Sequence, residues 1–395
     1  MIVDLPSTTT SAISKRLVTL RDDVGAMALS RVLTLVVITD EADADQAIET
    51  ANRASRLHPC RIIVVVSANK RGSARLDAQI RLGGDAGASE VVVLRLYGPL
   101  TDQGRSVVIP LLLADSPIVA WWPGTQPKDA GTDPIGAMAQ RRITDASRAG
   151  VKPKTVLARL ADTYTSGDTD LAWSRITLWR GLLAAALDQA PYEQVTEALV
   201  VASPESPSGD LLAGWLAQSL KCPVSLARAS TGRGIISVRL TRKAGTIDLV
   251  RPQDGNVATL MQTDQPERTI ALPHRKDAEC LADELRRLDE DEVYEDALRL
   301  GWPKVGSKTV TQSTAVRAGL VTSEAEAAKI AARVRRRSRL GKAASMVTTM
   351  PPEVDDPKAV QVATAEKLAA SPKTEHDAPV APKSRAVKKA IGDAK

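Results

Sequence analysis

The chain of 395 residues contains no phenylalanine, and with six Trp and four Tyr its aromatic content is only 3%. A core built from it must be filled mainly by Val, Leu, Ile and Ala, with the tryptophans as its few large anchors. Cysteine is also scarce. Cys60, Cys222 and Cys280 lie far apart with no Cys-x-x-Cys spacing, which argues against a disulfide framework and a structural zinc site and makes a reducing cytoplasm the expected location. There are three histidines, His58, His274 and His376. No two stand at metal-ligand spacing and no Gly-x-Ser-x-Gly is present, so neither a metal site nor conventional hydrolase chemistry is expected. Neither Gly-x-Gly-x-x-Gly nor a P-loop pattern follows a strand. No apolar run approaches the roughly 20 residues a membrane span needs. The first ten residues lack the basic-then-apolar order of a secretory signal.

Charge is unevenly placed. The net charge of +6 arises after Pro303, where Lys and Arg exceed Asp and Glu by about nine, leaving the first 303 residues at about −3. A basic partner-binding role therefore belongs to the tail and not to the body. Within the tail, Arg333-Val-Arg-Arg-Arg-Ser-Arg339 could hold a polyanion, though it has no interleaved aromatics, so any nucleic-acid contact is expected to be weak and non-specific.

The periodicities predict an α/β protein. Residues 1–150 form an N-terminal α/β domain with a mostly parallel or mixed sheet. Residues 151–303 form a second α/β domain with a mixed sheet, and 304–395 a largely disordered basic tail with one helix near 323–340. Val32 to Ile38, Ile62 to Val66 and Glu90 to Leu96 are β-branched runs that suit strands buried on both faces. Leu76 to Leu82 alternates as a half-exposed strand does, and Ala137 to Arg142 looks helical. Asp170 to Leu187 carries Trp173, Ile176, Trp179, Leu183 and Leu187 on one helical stripe. Strands at Thr196 to Ala202 and from Val224 to Leu272 surround a helix at Leu211 to Leu220, and Ala278 to Leu288 is a further helix.

The most distinctive passage is Ser106 to Gly124: a helical segment through Leu113, a break at Asp115-Ser116-Pro117, and a short buried strand ending in Trp121-Trp122. Adjacent residues on a strand face opposite sides of the sheet. One tryptophan is expected to pack inside while the other lines the crevice where open α/β sheets bind ligands, or else both serve the core. Beyond it, Arg141, Arg142, Thr144, Asp145 and Arg148 gather polar groups. The three arginines could clamp a phosphate or a partner's carboxylates; the competing reading pairs Arg141 or Arg142 internally with Asp145. With Trp121 and Trp122 these residues are the candidate partner or ligand surface. Ser206, Ser208 and Gly209 open a helix and are anion-binding candidates; Asp210 opposes that, and helix capping explains the same residues.

Seven segments then stand in one order: Arg31-Val-Leu-Thr-Leu-Val-Val, His58-Pro-Cys-Arg-Ile-Ile, Ala114 through Gly124, Ala139-Gln-Arg-Arg-Ile-Thr-Asp145, Leu171 through Arg180, Ser206 through Trp215, and Cys280 through Asp289. Together they resemble the actinobacterial glucose-6-phosphate dehydrogenase assembly protein family, OpcA, over Leu17 to Trp302. The resemblance implies a non-catalytic protein that binds glucose-6-phosphate dehydrogenase and promotes its assembled, active form, feeding NADPH production in the oxidative pentose phosphate pathway. It implies no catalytic residues and no cofactor. A sugar-phosphate or nucleotide sensor, or an enzyme using the anion site at Ser206, is the alternative from another class.

Overall fold

The β-branched runs become the centre of a sheet. In the computed structural model, which describes residues 1–24, 32–82, 90–229, 233–251 and 255–308, the first lobe contains eight strands. In chain order these elements are β1 (Ile2–Leu5), α1 (Thr10–Val24), β2 (Thr34–Asp40), α2 (Ala44–Ser55), β3 (Arg61–Ser67), β4 (Arg75–Arg81), β5 (Glu90–Tyr97), α3 (Gly104–Val108), β6 (Ile118–Trp121), β7 (Arg141–Thr144), α4 (Pro153–Asp162) and β8 (Asp168–Asp170). The sheet order is β1-β4-β5-β3-β2-β6-β7-β8. The six strands from β5 to β8 in that order run parallel, while β4 is antiparallel to β5 and β1 to β4.

Alternation assigns each side chain to a face. Leu35, Val37, Ile62, Val64, Val91 and Val93 pack beneath α2, whereas Val36, Ile63, Val65, Val92 and Leu94 pack with Ile13, Leu17 and Leu20 of α1. Each such side chain contributes about 1.5–3 kcal/mol on burial, so a sheet covered on both sides needs no aromatic filler except where the layers are thick.

The second lobe comprises α5 (Leu171–Ser174), α6 (Thr177–Leu187), β9 (Glu197–Ala202), α7 (Pro207–Leu220), β10 (Val224–Arg228), β11 (Ile235–Arg242), β12 (Gly245–Val250), β13 (Val257–Gln262), β14 (Arg268–Ala271), α8 (Asp277–Arg286), α9 (Glu292–Glu295) and β15 (Gly306–Ser307). Its sheet, β14-β13-β12-β11-β9-β10-β15, is mixed: β9, β10 and β15 are parallel and β11 to β14 form an antiparallel meander. Trp173, Ile176, Trp179 and Leu183 are buried in this lobe's core, as the helical stripe requires. Gly214 permits the return of the chain across α7; a Cβ there would lie 2.9 Å from the Trp302 amide nitrogen.

Several expectations are corrected. Arg141–Thr144 is a strand, not helix, because its backbone pairs with β6 on one side and β8 on the other. The helix before the double tryptophan spans only Gly104–Val108 and tightens into a 3-10 turn at Ile109–Leu111, where Pro110 supplies no N–H. Asp170 to Leu187 is two helices with a break at Arg175 and Ile176. The terminal strand β1 carries no sequence pattern strong enough to announce it. In the structure β8 completes the first sheet, and α8 packs Cys280, Leu281 and Leu285 against α2's face of that sheet. The start of the tail is ordered, with Gly306–Ser307 joining the second sheet as β15; from residue 309 onward the tail, including its helix near 323–340 and the basic run at 333–339, lies outside the described residues.

Candidate functional site

The double tryptophan lies inside the protein. Trp121 and Trp122 are each 2% exposed and enter opposite cores, Trp121 with α2 and α8, Trp122 with α1 and α3. The opposite-face geometry is as expected, but neither ring lines a large crevice. Trp121 borders only a space of about 10 Å³, shared with Asp145, Arg148 and Asp277.

The polar candidates next to it are drawn inward too. Arg141 pairs with Glu284 of α8 and donates to the Asp289 carbonyl at 2.6 Å. The Ser174 hydroxyl donates to the other Glu284 oxygen. Arg142 pairs with Asp168 and donates to the Ala139 carbonyl at 2.8 Å. Neither arginine pairs with Asp145. That carboxylate instead receives both Arg175 nitrogens, at 2.8 and 2.7 Å, and caps the turn at Ser147. Arg175 and Arg148 then share Asp277, at 2.7 and 2.9 Å. Burial works to raise the Asp277 carboxyl, but Arg175 and Arg148 hold it below its ordinary range. Burial likewise disfavours the Arg175 charge, and Asp145 and Asp277 outweigh it, so the guanidinium is held more firmly protonated than usual. This network ties β7, α5 and α8 together, and only Arg148 among the first group of candidates reaches an open cavity.

That cavity, about 760 Å³, lies at the junction of the lobes. Its walls are α2 with Glu49, Thr50 and Arg53; the turn at Ser147 and Arg148; Arg175 after α5; the β9–α7 turn from Ser203 to Ser208; Arg233 and Gly234 before β11; and His274 to Ala278 leading into α8. The two groups of sequence candidates, 58 residues apart from Arg148 to Ser206, thus share one wall system. Ser206 caps α7, its hydroxyl accepting from Gly209 N–H at 3.2 Å, and the Ser208 hydroxyl donates to the Ala172 carbonyl at 2.8 Å. Gly209 is required because a Cβ would collide with the Ala202 side chain. Asp210, which would oppose an anion here, is taken by Arg228 at 2.5 Å and by the Trp302 indole N–H at 3.3 Å. Arg53, Arg175, Arg233, Lys276 and Asp277 were not singled out by sequence reasoning. The His274-Arg275-Lys276 run was the one available cue.

Deeper in the junction lies Asp170. Its carboxylate accepts from the Thr144 hydroxyl at 2.6 Å and from the Ala146 and Ala172 amides at 2.9 and 2.8 Å. Full burial, followed by the neighbouring Asp145 charge, pushes its pKa from 3.8 up to about 7. A carboxyl raised in the folded state binds its proton more tightly folded than unfolded. Its stabilising contribution is therefore complete below about pH 4 and lost as pH rises through about 7. The effect is on the order of a few kcal/mol. Asp170→Asn mimics the protonated form and is expected to flatten this component of the stability-pH profile between about pH 4 and 8, measured by urea unfolding. A variant profile parallel to the parent's would exclude Asp170 as its source.

Among the described residues no group of three or more His, Cys, Asp or Glu could hold a metal ion, and no described helix is long and apolar enough to cross a membrane. A family model described as the N-terminal domain of the glucose-6-phosphate dehydrogenase subunit matches residues 51–162. A second family model, described as the C-terminal domain of the same dehydrogenase subunit, matches residues 166–298. Comparison with curated proteins gave no match.

Proposed function

The chain belongs to the glucose-6-phosphate dehydrogenase assembly protein family, OpcA, and on that premise we propose that it is a non-catalytic assembly factor that binds the dehydrogenase and favours its active oligomer. The observation that carries this reading is the pair of family matches, which together run through both lobes from residue 51 to 298. The polar groups of the junction support it: Arg141, Arg142, Asp145 and Arg175 are spent on joining elements, which suits a protein whose job is to present a fixed shape. The proposed setting is the cytoplasm, with the oxidative pentose phosphate pathway and its NADPH output as the process served.

An assembly factor acts by binding the active state of its partner more tightly than the inactive one. A tenfold shift requires a differential of about 1.4 kcal/mol, well within what one interface supplies. The linkage is reciprocal: ligands that favour the dehydrogenase's active state tighten its hold on this chain. Titrating the chain into purified dehydrogenase while recording activity and particle mass tests this. Activity and mass are expected to rise together and saturate at one ratio. Unchanged activity at saturating chain, or no heavier species, would refute the reading.

A further inference from the structure

The junction cavity has an excess of positive charge in a body whose net charge is not positive. Six Arg and Lys side chains border it against three carboxylates, Glu49, Glu205 and Asp277, although residues 1–303 as a whole carry about −3. Four of the six cations are already engaged: Arg53 with Glu49, Arg148 and Arg175 with Asp277, and Arg275 with Asp283. Arg233 and Lys276 are exposed and form no ion pair among the described residues.

Their positions are fixed by their own backbones. The Gly234 amide donates to the Ser203 hydroxyl at 3.2 Å, and the Ser203 amide donates to the Gly234 carbonyl at 2.8 Å, which holds Arg233 beside the β9–α7 turn. Lys276 is the N-cap residue of α8, and its amide is held by Glu279 at 3.1 Å. Between them opens the start of α7, a 14-residue helix whose first-turn carboxylate is already neutralised by Arg228. A helix end alone would not make a site. Here it faces a concave space with two uncommitted cations, and low-dielectric walls focus such a field onto whatever enters.

Size and the remaining lining narrow the ligand. A volume of about 760 Å³ falls within the roughly 300–1,000 Å³ of small-molecule sites, and an inorganic phosphate would leave most of it empty. The rest of the wall is not apolar. Glu49, Thr50 and Glu205 offer groups that hydrogen-bond hydroxyls or amines. We infer that the cavity binds a phosphorylated, hydroxyl-bearing small molecule of the sugar-phosphate or nucleotide class, its phosphate facing Arg233, Lys276 and the start of α7, its hydroxyls facing Glu49 and Glu205. Because α2 belongs to one lobe and the α7 turn to the other, the ligand bridges the two. The inference stands independently of the assembly role.

Calorimetric titration of the full chain with inorganic phosphate, ribose phosphate and adenosine diphosphate tests it. Saturable binding of one or both organic phosphates is expected, at least tenfold tighter than inorganic phosphate; which of the two binds tighter separates sugar-phosphate from nucleotide. The double variant Arg233→Gln, Lys276→Gln alters two exposed side chains and is expected to keep the parent's circular dichroism while losing tenfold or more in affinity. Absence of saturable binding for all three, equal affinity for inorganic phosphate, or undiminished binding in the double variant overturns the inference. If no probe binds and the double variant loses the dehydrogenase instead, the cavity is a docking surface for an acidic protein segment: this inference falls and the assembly role stands. Organic phosphate binding by a chain that does not activate the dehydrogenase has the reverse meaning.

Discussion

Arg141→Met is expected to lower folding stability by about 3–5 kcal/mol, the cost of leaving a buried charge without its partner. The Arg141 and Glu284 side chains are 3% and 5% exposed. After the substitution, Glu284 would retain only the Ser174 hydroxyl, and the Asp289 carbonyl would lose its donor. The effect is large because of burial and not because an ion pair is intrinsically strong. The exposed Arg53–Glu49 pair on α2 has the same charges at 2.5 Å with both side chains more than half exposed, and such i,i+4 pairs contribute about 0.3–0.5 kcal/mol. The same physics predicts that Arg141→Met combined with Glu284→Leu recovers most of the loss, since two apolar groups of similar volume need no desolvation. Urea unfolding of the parent, both single variants and the double variant closes the cycle, provided the slope m is unchanged. A loss below about 1 kcal/mol in the single variant would place this pair in the surface class and remove the anchor between β7 and α8.

That anchor marks the limit of what the chain discloses when read as a string. The strands β2, β3 and β5 are legible because a sheet covered on both faces demands uninterrupted runs such as Ile62 to Val66. The capped start of α7 is legible because Ser206 and Gly209 satisfy a local rule within four residues. Arg141 and Arg142 are harder. Two adjacent arginines suggest solvent, yet their partners are Glu284, 143 residues away, and Asp168, across the sheet edge. The reading of Ala137 to Arg142 as helix failed for a related reason: a four-residue strand is specified by its neighbours β6 and β8 more than by its own composition. The cavity is the extreme case. Its walls come from six separated segments between Gln46 and Ala278, and nothing local in any of them states that Arg233 and Lys276 face one space. Sequence reasoning found Arg148 and the Ser206 turn separately; their meeting is a property of the two sheets.

The two adjacent tryptophans are expected to respond differently to phenylalanine and alike to alanine. Each ring is a large volume in a core that has no phenylalanine to share the task, so Trp121→Ala and Trp122→Ala should each cost about 3–5 kcal/mol. They damage opposite sides of the sheet: Trp121 among Ala47, Ala51 and Leu281, Trp122 among Leu111, Ile135 and Ala139. Trp122 is pressed against the loop after β6, where a Cβ on Gly136 would come within 3.1 Å of its ring, so a smaller ring there leaves a rigid gap and costs about 1–3 kcal/mol. Trp121 differs because its indole nitrogen is buried with no hydrogen-bond partner among the described residues. An unsatisfied buried donor costs about 1–3 kcal/mol, and Trp121→Phe removes it together with part of the ring. The two effects oppose each other, and the net change is expected to stay within about 1 kcal/mol. Thermal and urea unfolding of the four variants distinguishes these outcomes. A Trp121→Phe loss as large as that of Trp121→Ala would show that the indole N–H has a partner in solution. Weakened dehydrogenase binding at unchanged stability would instead assign the ring a contact beyond the core in which it is packed.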